Sequence, residues 1–267
     1  MNIGFIGLGN VGGKLAGSLL RNGFDLTVCD LSHNIVTQFV EKGAKSVDGP
    51  LAMMQACDAV ITCLPSPAAS AAVVEEMLPA VDDTKIWLEM STTDADEVKR
   101  LASLVEAQGG SAIECPVSGG CHRADTANIS IFAGCDRATF ERMLPTLTAL
   151  GRRVLHTGEI GTASVLKVMT NYLATANLLS CCEALVTMKA AGMDLNTTYE
   201  AMKISSGTSF VHETESQLIL NGSRDVSFTM DLVKKDIGLF HKIAEAANVP
   251  LEISPLLVSI FEDGIAR

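Results

Sequence analysis

The chain has 267 residues, 48% of them hydrophobic, and its 20 Lys and Arg against 31 Asp and Glu give a formal net charge of −11. That is ample apolar content for one large or two smaller cores and excludes a disordered chain; the acidic balance, with no Lys/Arg cluster interleaved with aromatics, argues against a nucleic-acid partner. Eight cysteines without C-x-x-C spacing suit a reducing cytoplasm, no basic leader suggests a signal peptide, and no apolar run reaches the ~18 residues of a membrane span.

The first predicted strand covers residues 2–6 and runs into Gly7, Gly9 and Gly12, a G-x-G-x-x-G. Val11, Leu15, Leu19 and Leu20 then recur at helical spacing until Gly23. A second strand at 26–29 ends in Asp30, 18 residues beyond Gly12, near where a dinucleotide-binding unit carries a carboxylate. Each part has a physical job. Gly7 permits the tight turn, Gly9 lets backbone approach a pyrophosphate, and Gly12 lets helix pack on strand. The helix N-terminus favours the anion. Asp30 would accept from the adenosine ribose hydroxyls and repel a 2′-phosphate, which selects NAD over NADP. Asn10 and Val11 within the turn, and Leu31 after the acid, complete this part of the expected cofactor site.

Further strands are predicted at 59–64, 85–90, 111–114, 129–133 and 154–156, with helices after Ser32 and over 94–107 and 136–150. Such alternation predicts a parallel, doubly wound α/β sheet of Rossmann type, with ligands gathered at the carboxyl ends of its strands. "CLPSPAAS" and "EMSTTDADE" follow two of those strands and place Leu64, Pro65, Ser66, Ser91 and Thr92 on that side, either as ligand contacts or as ordinary turn and cap residues, Thr92 being a candidate helix cap. "CPVSGG" offers the Ser118 hydroxyl and the bare N–H groups of Gly119 and Gly120 to an anion, or forms a flexible turn.

From about residue 162 to 191 there is neither Pro nor Gly, and the apolar spacing predicts one long helix able to bridge two domains. Lys167 and Asn171 share a face of it. A lysine in so apolar a helix either snorkels to solvent or lines a site, where a desolvated amine can give and take a proton. The remainder reads as helices, including 226–247 and 254–265. Lys234, Lys235 and Asp236, by spacing alone, read as a solvated face. The expected division is therefore a dinucleotide-binding domain at 1–160 and an all-helical domain at 161–267.

In this order, "GFIGLGNVG", "CLPS", "EMST", "CPVSGG", "KVMTN" and "KKDIGL" resemble the β-hydroxyacid dehydrogenase family, whose best-known members act on 3-hydroxyisobutyrate. The likeness covers nearly the whole chain. It implies oxidation of a small β-hydroxy acid with NAD, Lys167 as catalytic lysine, and Asn171 orienting the reacting hydroxyl. Ser118, Gly119 and Gly120 would hold the substrate carboxylate, and Lys235 would sit beside the nicotinamide. Leu64, Pro65, Ser66 and Thr92 fall among the cofactor contacts, and a homodimer or homotetramer is expected. No metal site is expected. His122 and Arg123 depart from the smaller or uncharged residues of many relatives, which makes Arg123 a candidate contact to a second polar group on the substrate. The alternatives are a reductase of glyoxylate or succinic semialdehyde, generally NADP-dependent, and a dinucleotide-binding scaffold or sensor without turnover.

Overall fold

The computed structural model describes residues 1–267 apart from 224, 226 and 227. The elements in chain order are β1 (Ile3–Ile6), α1 (Gly12–Arg21), β2 (Leu26–Cys29), α2 (His33–Glu41), β3 (Lys45–Ser46), α3 (Pro50–Ala56), β4 (Ala59–Thr62) and α4 (Pro67–Met77). Then come β5 (Ile86–Glu89), α5 (Ala95–Ala107), β6 (Ser111–Glu114), β7 (Val117–Ser118), α6 (Gly120–Asp125), β8 (Ser130–Gly134), α7 (Arg137–Leu150) and β9 (Arg153–Gly158). Helices follow: α8 (Thr162–Ala190), α9 (Leu195–Lys203), α10 (Phe210–Leu220), α11 (Met230–Ala246) and α12 (Ile253–Ala266). The helix expected over 226–247 has its first two residues outside the described ones.

The sheet order is β3-β2-β1-β4-β5-β6-β8-β7, with β9 on the other edge of β8. β3 through β6 are all parallel, as alternation predicts, but β8 runs antiparallel to β6 and β7, and β9 follows β8. β6 and β7 form one interrupted edge against β8, bridged by the Phe132 N–H donating to the Pro116 carbonyl at 3.1 Å.

Period-two alternation sends strand side chains to two opposite cores. Phe5, Val28, Ile61, Leu88 and Ile113 pack with Leu15 and Leu19 of α1 and Phe140 and Leu147 of α7. Ile6, Val60, Trp87 and Ala112 pack on the other face with Met53, Val74, Leu101 and Val105 of α3 to α5. Each such fully buried side chain contributes about 1.5–3 kcal/mol. The indole of Trp87 keeps its polar end satisfied by donating to Thr62 Oγ1 at 3.0 Å.

The chain divides into two compact units, Met1–Lys167 and Val168–Arg267, and the division falls inside α8, whose 29 residues span about 44 Å. In the second unit Val233, Ile237, Leu257 and Phe261 form a small core with Tyr172 and Leu179, and Tyr172 stacks on Phe240 with ring centroids 4.4 Å apart. Among the described residues no helix is long and apolar enough to cross a membrane.

Candidate active site

The glycine-rich turn joins β1 to α1. Gly7 has φ +95, and a Cβ on it would strike the Cys63 carbonyl; a Cβ on Gly12 would strike the Gly7 carbonyl oxygen. Around Gly9 there is nothing within 4 Å of the same position. Two glycines are thus demanded by the chain's own backbone, while the third leaves open space at the start of α1. No side chain caps that helix at Val11, next to Asn10; the Gly13 and Lys14 N–H groups donate to the Gly9 and Val11 carbonyls at 2.9 and 3.1 Å, and the positive end of the helix dipole at this turn favours an anion. A pyrophosphate fits this cradle.

Asp30, at the end of β2, is tied to the turn: its carboxylate accepts from the Leu8 N–H at 2.6 Å and the Ser32 N–H at 2.8 Å. These bonds fix a negative group beside the loop. Leu31 next to it is fully exposed.

The turns after β4 and β5 are linked. The Leu64 N–H donates to Ser91 Oγ at 2.7 Å, and the Ser91 N–H donates to Glu89 Oε1 at 2.8 Å. Glu89 is fully buried at the end of β5, and burial pushes its carboxyl up, partly offset by the bonds from Ser91. Pro65 is exposed, and Ser66 caps α4 by accepting from the Ala69 N–H at 3.2 Å. Thr92 is not a helix cap: Asp94 fills that role for α5, accepting from Asp96 and Glu97.

Ser118 closes β7 opposite Ser130, and Gly119 and Gly120 follow at φ +131 and +78, conformations that only glycine adopts readily. The arm of Arg123 folds back over this turn, its Cδ 3.2 Å from where a Gly119 Cβ would stand. Asp125 faces Arg21 at 3.7 Å. His122 is exposed on α6.

Lys167 is buried, 8% exposed, one turn into α8. The start of that helix is held by Glu114, the last residue of β6: Oε1 accepts from the N–H groups of Gly161 at 2.5 Å and Ala163 at 2.8 Å, and Oε2 from the Ser164 N–H at 3.0 Å and hydroxyl at 2.5 Å. Burial raises the Glu114 carboxyl and these four donors pull it back down. In the second unit Asn171 Nδ2 donates to Asp236 Oδ2 at 2.5 Å, and Lys235 Nζ lies 3.1 Å from Asp236 Oδ1. Asp236 is buried, which corrects the reading of Lys234, Lys235 and Asp236 as a solvated face; Lys234 alone fits it, paired near the surface with Glu262 at 2.8 Å.

Glu89 and Glu114 in the first unit and Asp236 in the second are buried acids that sequence reasoning did not select, tied within their own units to Ser91, to the first turn of α8 and to Asn171 respectively. For the two glutamates a signal was present, since "WLEM" and "AIEC" each end an apolar strand on an acid. Among the described residues no group of three or more His, Cys, Asp or Glu is placed to hold a metal ion.

Residues 2–158 match the family model for the NAD binding domain of 6-phosphogluconate dehydrogenase, and residues 161–267 match that described as NAD-binding of NADP-dependent 3-hydroxyisobutyrate dehydrogenase. The chain is 31% identical over 274 residues to 2-(hydroxymethyl)glutarate dehydrogenase of Eubacterium barkeri, covering 100% of this chain and 90% of that one. It is 29% identical to mitochondrial 3-hydroxyisobutyrate dehydrogenase of Drosophila melanogaster, covering 98% and 83%. Among solved structures, the 3-hydroxyisobutyrate dehydrogenase of Mycobacterium tuberculosis with L-serine superposes with a TM-score of 0.90 at 22% identity, covering 99% and 94%, a likeness of fold.

Proposed function

The chain belongs to the β-hydroxyacid dehydrogenase family of NAD(P)-dependent oxidoreductases, and from that premise we propose that it reversibly oxidises a small β-hydroxy acid to the aldehyde or keto acid, with NAD as cofactor. The observation that carries this reading is the buried amine of Lys167 on a helix fastened to the carboxyl end of the sheet. NAD, when bound, supplies the acceptor for the hydride of the carbinol carbon. Lys167 as the neutral amine takes the hydroxyl proton; in the reverse direction its ammonium returns that proton to the alkoxide oxygen. Ser118, Gly119 and Gly120 hold the substrate carboxylate with a hydroxyl and backbone N–H groups. Asn171, one turn further along the same helix, orients the reacting hydroxyl, and a scaffold or sensor would need neither side chain. The test is a panel of hydroxy acids assayed with both cofactors: turnover of at least one β-hydroxy acid with NAD supports the reading, and no turnover of any overturns it.

Asp30 supports NAD over NADP, and with it oxidation over the NADPH-dependent reduction of an aldehyde acid. Its carboxylate is held at the glycine-rich turn by two backbone bonds and would repel a 2′-phosphate. NAD is expected to bind about tenfold more tightly than NADP, a difference of about 1.4 kcal/mol, and Asp30→Ala to narrow the gap. Calorimetric titration of the parent showing equal or reversed affinities would refute the assignment.

A substrate with a second acidic group is the reading that Arg123 favours, because its arm lies over the Gly119 turn. The relative from Eubacterium barkeri is named for a glutarate, a diacid. Arg123→Ala is expected to lower kcat/KM for a dicarboxylic β-hydroxy acid by about 1.5–3 kcal/mol, the range for a hydrogen bond to a charged group, and to spare a substrate with an apolar tail. Equal losses on both would make Arg123 structural.

A cytoplasmic homodimer or homotetramer completes the proposal. Its supports are the free state of all eight cysteines and the exposed apolar residues Ile253, Leu256, Ile260 and Ile265 of α12.

A further inference from the structure

Helix N-termini are ordinarily capped by the Ser, Thr, Asp or Asn that precedes them in sequence. The cap of α8 comes instead from 47 to 50 residues away, and it is a carboxylate with 0% exposure. Burying such a group is costly unless its oxygens are satisfied. Here both oxygens are, by three backbone N–H groups and one hydroxyl of the first turn. The surroundings are shaped to admit it, since Gly134 stands opposite Glu114 in the ladder and any side chain there would strike the carboxylate. A requirement for stability alone would be met by a local cap at lower cost.

The placement gives the clamp a use. Glu114 ends β6, and four residues further along the chain, in β7 on the same strand β8, stand Ser118 and then the Gly119–Gly120 turn. Ser164, which receives the other end of the clamp, precedes Lys167 by three residues, about 4.5 Å along the helix axis. One short stretch of chain, paired to β8 at Glu114 and Ser118, thus fixes both the anion-binding turn and the first turn of the helix that carries the amine.

We propose that Glu114 is a positioning residue for the reaction, setting the distance between the turn that holds the substrate carboxylate and the Lys167 amine. This rests on the reading of Lys167 as the proton-handling group. A glutamine has the same size, but whichever way it turns, its NH₂ faces donors already pointing at that position. The first turn of α8 must then shift.

The experiment is a cycle in the full chain with Glu114→Gln, Ser164→Ala and Lys167→Ala, singly and with each of the first two combined with the third. Glu114→Gln is expected to lower kcat about tenfold or more, since a misplacement of about 1 Å costs up to ~100-fold, while NAD affinity stays within about twofold of the parent. Ser164→Ala, which removes one donor, is expected to give a smaller loss of the same kind. Both losses are expected to vanish in the Lys167→Ala background, because a residue acting through another adds nothing once that other is gone. Should Glu114→Gln fail to fold, Ser164→Ala decides the matter. An impaired Lys167→Ala variant beside parental kcat in the clamp variants, or clamp losses that persist undiminished without the lysine, overturns the positioning role alone. Near-parental turnover in Lys167→Ala overturns the lysine reading and the clamp proposal with it.

Discussion

Lys167→Ala is expected to lose at least ~100-fold in turnover, the usual cost of removing a positioned acid/base group, while binding NAD as the parent does. The substitution removes the amine and leaves its surroundings in place. Glu114 still holds Gly161, Ala163 and Ser164, and alanine is the best helix former. The glycine-rich turn and Asp30 lie on β1, α1 and β2, so the nucleotide-binding residues are untouched. Rapid-mixing measurement of cofactor reduction, with NAD affinity determined separately, distinguishes lost chemistry from lost binding. A variant with near-parental turnover would take the lysine out of the mechanism.

Gly12→Ala is expected to cost about 1–3 kcal/mol of stability, as overpacking does, and to weaken NAD binding by about tenfold or more, equivalent to about 1.4 kcal/mol. Gly12 is the buried first residue of α1, and the added methyl would run into the Gly7 carbonyl and approach Cys63 Cβ at 3.2 Å. The first obstacle is backbone, so no rotamer change relieves it. The helix has to move away from the strand, and its N-terminal N–H groups move with it. Thermal melting together with calorimetric NAD titration reads both effects; parental affinity in the variant would show that the turn tolerates the shift.

Much of this architecture is legible in the chain. Apolar strand runs and 3.6-residue spacing mark β1, α1, β2 and α8, because burial of one face demands that periodicity. The glycines of the first turn are legible because backbone contact at Gly7 and Gly12 permits no other residue. Strand direction is less so: β8 is as apolar as its neighbours, and its reversal comes from the short path through β7 and α6. The two-residue strands β3 and β7 are too brief to show a period. Asp236 sits between Lys235 and Ile237 in a run that looks solvated, and its burial depends on Asn171, 65 residues earlier. The acids that end β5 and β6 stand out as charges in apolar runs, yet their partners, the Ser91 turn and the first turn of α8, emerge only when the chain is folded. Thr92 and Asp94 are both good cap residues, and only the observed start of α5 chooses between them.

The most direct measurement of the central claim uses a β-hydroxy acid that the parent protein turns over, deuterated at its carbinol carbon, incubated with NAD, with mass analysis of the reduced dinucleotide. Hydride transfer from that carbon, with Lys167 taking the hydroxyl proton, predicts one deuterium in each reduced cofactor formed and a slower appearance of product than from the unlabelled acid. Reduced cofactor without label, or no reduced cofactor from any β-hydroxy acid tried, would contradict it.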